Sequence, residues 1–92
     1  MKVKTQQVLK NLKGEVLTED TVEVTLGMVI SAALLNAPEE KEPEQAYALA
    51  KRCSQEKEAD LTVEEITFIK ERVKKSPLST LLVGQALTLL NV

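Results

Sequence analysis

The sequence predicts an α-rich α+β fold: a small N-terminal β-hairpin, residues 1–24, followed by a four-helix compact region, residues 25–92, in a single domain. Three observations lead there. Residues 61–92 carry two adjacent helix-start signals, Leu61-Thr62-Val63-Glu64-Glu65-Ile66 and Ser76-Pro77. Leu26 to Leu34 has apolar residues at helical spacing. After Gly14, Glu15-Val16-Leu17 is extended in character and Thr21-Val22-Glu23-Val24-Thr25 alternates β-branched and polar residues. At 92 residues, a chain buries roughly 60–65% of its unfolded surface, enough for one thin core. Tyr47 and Phe68 are its whole aromatic supply. The core must therefore come from Leu, Val, Ile and Ala.

Val3 to Leu12 shows little helical periodicity. Lys13-Gly14 can turn the chain, because Gly tolerates the positive φ that tight turns need. Glu15-Val16-Leu17 resumes extended character, and Thr21-Val22-Glu23-Val24-Thr25 alternates as a strand does. A helix over residues 4–13 is the competing reading. Charge is divided across the turn: Lys2, Lys4, Lys10 and Lys13 precede it, while Glu15, Glu19, Asp20 and Glu23 follow. The simplest account is two solvated strands attracting each other.

Thr25 is placed to cap a helix over 26–36. Leu26, Val29, Ile30, Ala33 and Leu34 form its buried stripe, widened by Met28, Ala32 and Leu35. Asn36 in a left-handed conformation, followed by Ala37-Pro38, should end it. After the polar linker Glu39-Glu40-Lys41-Glu42, Pro43 opens a second helix over 43–57. Ala46, Leu49, Ala50 and Cys53 give it a narrow face of small residues, with Tyr47 at the edge.

The third helix, over 63–75, has the clearest start. Thr62 and Glu65 make a capping box, and Leu61 with Ile66 a hydrophobic staple. Val63, Ile66, Ile69 and Val73 are the expected buried stripe. Glu64 and Glu65 suit the positive end of the helix dipole, and Lys70, Arg72, Lys74 and Lys75 the negative end.

Ser76 as cap and Pro77 as first residue then open a fourth helix over 77–90. Leu78, Leu81, Leu82, Ala86, Leu89 and Leu90 form one face. Val83 and Leu87 make a second ridge, with Gly84 beside them. A helical Gly costs about 1 kcal/mol relative to Ala, so Gly84 implies close approach by another backbone. Too apolar to face water all round, this helix must be buried in the core or in a partner.

Several function classes are excluded or disfavoured. The net charge of −2 is not the basic footprint of a general nucleic-acid binder. Residues 61–90 imitate a helix-turn-helix, but the second helix offers only Ser79, Thr80, Gln85, Thr88 and Asn91, with no Lys or Arg for phosphate. There is no His to activate Ser or Cys. Cys53 reads as a buried small apolar residue. The isolated Gly14, Gly27 and Gly84 build no phosphate loop. Glu39, Glu40, Glu42 and Glu44 lie in a polar linker without a paired site. No enzyme, cofactor or metal is expected. The apolar stretches 26–35 and 78–90 are shorter than the roughly 20 residues needed to cross a bilayer, and Lys2 and Lys4 precede no apolar signal region. One cysteine without a disulfide partner suits a reducing compartment.

The order of motifs resembles a group of small proteins of tailed bacteriophages and prophages, mostly without assigned function. The matching parts are Val8-Leu9-Lys10-Asn11-Leu12-Lys13-Gly14, Thr25-Leu26-Gly27, Ala33-Leu34-Leu35, Tyr47-Ala48-Leu49-Ala50-Lys51, Leu61-Thr62-Val63-Glu64-Glu65-Ile66 and Leu82-Val83-Gly84-Gln85-Ala86. The resemblance implies a phage protein in the cytoplasm of a bacterial host, without enzymatic activity. It transfers no catalytic residue. It leaves open virion assembly or the modulation of a host or phage protein. The functional expectation is a non-enzymatic protein-binding factor, self-associating or engaging a partner through Val83, Gly84 and Leu87. The alternative is a nucleic-acid-associated phage regulator using Lys2, Lys4, Lys10 and Lys13.

Overall fold

In the computed structural model, which describes residues 1–36 and 41–90, the first helix is the hub. The order is β1 (Lys2–Val3), β2 (Thr18–Glu19), β3 (Val22–Glu23), α1 (Leu26–Leu35), α2 (Pro43–Gln55), β4 (Ala59–Asp60), α3 (Val63–Lys74) and α4 (Thr80–Leu90). Helix α1 packs on α2, α3 and α4, and α3 packs on α4. The fold is the expected α+β one. Its expected helix ends at 36, 57 and 75 shorten to 35, 55 and 74.

The β-hairpin forms, and residues 4–13 are not helical. Gly14 takes a φ of +85°, and its N–H donates to Asn11 O at 3.0 Å. Lys10 and Val16 bridge above this turn. A second reversal comes at Asp20-Thr21, both with positive φ (50° and 68°). It joins β2 to β3 in the register Thr18 to Glu23 and Glu19 to Val22. Positive φ at both central residues is the pattern whose twist suits a two-residue hairpin. Below it, Leu9, Leu17 and Val24 close a triangle of backbone bonds. Leu9 N–H donates to Val24 O, Leu17 N–H to Leu9 O and Val24 N–H to Leu17 O, each at 2.9 Å. Their side chains turn to the core.

The chain start does not belong to that hairpin. Strand β1 pairs antiparallel with β4, Lys2 opposite Asp60 and Val3 opposite Ala59. Leu61 N–H donates to Met1 O at 2.8 Å. Thr5, only 2% exposed, is the hinge of this arrangement. Its hydroxyl donates to Glu56 O, with Lys57 O also within reach at 3.1 Å. Its carbonyl accepts from Gly27 N–H at 2.7 Å. One residue thereby joins the first segment, the start of α1 and the end of α2, and satisfies polar groups that burial would otherwise leave costly.

Gly27 is where these pieces approach most closely. A Cβ there would stand 2.5 Å from Cys53 O and 3.0 Å from Thr5 O. Nothing lies within 4 Å of the corresponding point at Gly84. The close backbone approach expected at Gly84 is thus found at Gly27.

Thr25 caps α1, accepting from Met28 N–H at 3.3 Å. Leu26, Val29, Ile30, Ala33 and Leu34 are buried as the spacing requires, whereas Met28 and Leu35 are exposed. Asn36 is not left-handed: its φ is −110°. Its side-chain amide instead donates to Ala32 O at 2.8 Å. The expected stop at Ala37-Pro38 and the linker residues Glu39 and Glu40 lie outside the described residues. Ala46, Leu49, Ala50 and Cys53 line the buried side of α2.

The capping box of α3 is complete. Thr62 Oγ1 accepts from Glu65 N–H at 3.1 Å, and Glu65 Oε1 accepts from Thr62 N–H at 2.9 Å. Leu61 and Ile66 are both buried. Val63 is 62% exposed, so the buried stripe is Ile66, Ile69 and Val73. Ser76 does not start α4; its hydroxyl donates back to Val73 O at 2.6 Å and closes α3. Ser79 does the capping instead, accepting from Leu82 N–H at 3.4 Å. Helix α4 therefore starts at Thr80, three residues later than expected at Pro77.

Candidate binding groove

The face of α4 follows from its neighbours. Ala86 and Leu90 are fully buried, and Leu78, Leu82, Val83, Leu87 and Leu89 are half-buried against the core. Val83, Ala86, Leu87 and Leu90 stand at i, i+3, i+4 and i+7, the geometry of one inward stripe. The ridge expected at Val83 and Leu87 is turned toward the core, because α1 and α3 pack on this helix from that direction.

A different stripe points outward. Leu81, Gly84, Gln85 and Thr88 repeat the same spacing and border an open groove of ≈ 780 Å³. Its opposite wall is the segment 7–12, through Gln7, Val8, Lys10 and Leu12. Leu12 is 96% exposed. Gly84 is exposed as part of this lining. Of the residues Val83, Gly84 and Leu87, only Gly84 lies in the groove.

Gln85 holds the two walls together. Its Oε1 accepts from Lys10 N–H at 2.9 Å, and its Nε2 donates to Lys10 O. A side-chain amide here imitates a strand neighbour and satisfies both backbone groups of residue 10. The segment therefore reaches α4 across 75 positions of sequence. Sequence reading placed Gln85 on an exposed face; no local pattern marks its partner.

A smaller recess continues the groove. Lys2, Val3, Lys4, Gln7, Leu26 and Leu89 line it, and it shares Gln7 and Leu89 with the larger one. Lys2, Lys4 and Lys10 are exposed around the joined surface. Among the described lining residues none carries a carboxylate. The four lysines are not one hairpin patch. Lys2 belongs to β1 against β4, Lys10 to the groove wall, and Lys13 to the turn at Gly14. Among the described residues no ion pair joins any of them to Glu15, Glu19, Asp20 or Glu23.

Comparison with protein-family models, with curated proteins and with solved structures finds no match to this chain. The site is thus described by its own chemistry. Among the described residues no group of His, Cys, Asp and Glu could hold a metal ion. No described helix is long and apolar enough to cross a membrane. Cys53 is buried, and burial pushes its thiol up to about 11, against a partial lowering by Arg52 and small increases from Glu56 and Glu65. A thiol held protonated in this way is a poor nucleophile at neutral pH. Its location in the packed seam between α1 and α2 agrees with a structural role.

Proposed function

We propose that this protein is a non-enzymatic protein-binding factor of phage origin, acting in the bacterial host cytoplasm, and that the groove between residues 7–12 and α4 is its binding surface. The phage attribution rests on the order of motifs in the sequence. The observation that carries the binding reading is the aliphatic lining, with Leu12 almost wholly in water and Val8, Leu81 and Leu89 half-buried around the groove. Exposed apolar surface of this kind on a small protein is characteristic of interaction sites. Its position refines the expected interface: Gly84 stays, and Leu12, Leu81 and Thr88 replace Val83 and Leu87.

The test is site-specific photo-crosslinking in phage-infected cells. A photoreactive residue at Thr88 or Leu12 should yield a discrete protein adduct, and one at the exposed Tyr47 on α2 should not. Equal adducts from all three positions, or none from the groove, would refute the reading.

A further inference from the structure

We propose that the groove docks an amphipathic helix of a partner protein whose apolar stripe is bordered by Asp and Glu. This rests on the protein-binding reading above and names the partner's chemistry.

Shape favours a helix. The 11 residues of α4 make a wall of about 16 Å, close to three helical turns. Gly84 leaves open space where a side chain would stand, so a partner's backbone can come close there. Leu81 and Leu89 on one side and Val8 and Leu12 on the other receive aliphatic anchors. A helix presents such anchors at i, i+3, i+4 and i+7 without needing backbone partners.

An added strand is disfavoured at the centre of the wall. Gln85 occupies both backbone groups of Lys10, and Val24 and Leu17 occupy those of Leu9. Strand addition depends on free backbone groups at an edge.

Charge selects the partner's flanks. Lys10 lines the larger recess and Lys2 and Lys4 the smaller one, and among the described lining residues there is no carboxylate, Asp60 standing opposite Lys2 on β4. Complementary potential speeds encounter and rejects like-charged partners. An isologous dimer would place the same basic face against itself, which disfavours a second copy. The lining has no aromatic ring on which a base could stack, which disfavours single-stranded nucleic acid.

The experiment uses the full chain and three probes. One is a helical peptide of about 18 residues, roughly 27 Å long, with Leu at i, i+4, i+7 and i+11 flanked by Glu. The second is its twin with Lys in place of Glu. The third is an oligothymidylate. Binding is measured by titration at low and high salt, and the contact is mapped by amide chemical shifts on the unmodified protein. The Glu peptide should bind about tenfold or more tightly than its twin at low salt, with the margin shrinking as salt rises. Shifts should concentrate in residues 7–12 and 80–89. In the Lys2→Glu, Lys4→Glu, Lys10→Glu triple variant the preference should invert. Gly84→Leu should weaken both peptides while circular dichroism stays unchanged. Equal binding of the two peptides, shifts elsewhere, tighter binding of the oligonucleotide, or self-association through this face in sedimentation would overturn the proposal. Groove crosslinks to a protein without the acidic preference would leave the protein-binding reading standing and remove only the partner's chemistry.

Discussion

Two glycines in helices should respond in opposite directions to the same substitution. At Gly27 an added methyl would lie 2.5 Å from Cys53 O and 3.0 Å from Thr5 O. A carbon and a carbonyl oxygen settle at about 3.3–3.6 Å, so α1 or its neighbours must move by roughly 0.8 Å. Both obstacles are backbone, one at the last turn of α2 and one held by Gly27 N–H at 2.7 Å. Neither can rotate away as a side chain would. Overpacking of this kind costs about 1–3 kcal/mol, and the helix preference of Ala returns at most about 1 kcal/mol. Gly27→Ala should therefore be a net loss of up to about 2 kcal/mol, a fall in Tm of up to roughly 15 °C for a domain this size. Gly84→Ala meets nothing within 4 Å, so it should gain about 0.8–1 kcal/mol. Far-ultraviolet circular dichroism in a urea titration is the assay, since the chain has no Trp. A Gly27→Ala midpoint at or above that of the parent, or a lowered midpoint for Gly84→Ala, would refute the assignment of which glycine is crowded.

Other elements make their own predictions. Thr21 holds a φ of +68°, a left-handed conformation costing a side-chain-bearing residue about 1–2 kcal/mol. Thr21→Gly should relieve it and, after the greater unfolded-state entropy of Gly, about 0.5–1 kcal/mol, raise the urea midpoint; an unchanged or lower midpoint counts against the turn. Thr5→Val keeps the volume and deletes the hydroxyl that reaches Glu56 O and Lys57 O. It should cost about 1–3 kcal/mol and speed hydrogen exchange at Leu61, whose N–H bonds to Met1 O, more than at the buried centre of α3. For Cys53, the folded thiol lies at about 11 and the reference value is 9.0. Below pH 9 both states hold the proton. As pH rises from 9 toward 11 only the unfolded state loses it, so stability falls across that window. Cys53→Ala should remove this part of the decline, and parallel stability-pH curves for the two proteins would contradict it. Native Cys53 should also react with a thiol reagent about a hundredfold or more slowly than the urea-unfolded chain, because reaction requires opening of the seam.

The sequence alone determined what depends on neighbours within one or two turns. Thr62 with Glu65, Thr25 before Leu26, and the spacing of Leu26, Val29, Ile30, Ala33 and Leu34 are local patterns, and the structure keeps them. Gly14 marked its turn for the same reason: positive φ is a property of the residue itself. What failed locally was outcompeted by a contact. Ser76-Pro77 has the composition of a helix start, yet Ser76 bonds to Val73 O and the start passes to Ser79. Thr21, β-branched, is a poor residue for its positive-φ turn position and is held there by the pairing on either side. Tertiary structure alone decided the pairing of β1 with β4, since two-residue strands are too short to show alternation. It also decided which way α4 faces. Apolar residues cover most of that helix, so periodicity leaves its rotation open, and packing against α1 and α3 turns Val83 and Leu87 inward. The groove exists only because Gln85 meets Lys10 across 75 positions. Hydrogen-bond capacity is written in each residue, but which distant partner it meets is set by how the whole chain packs.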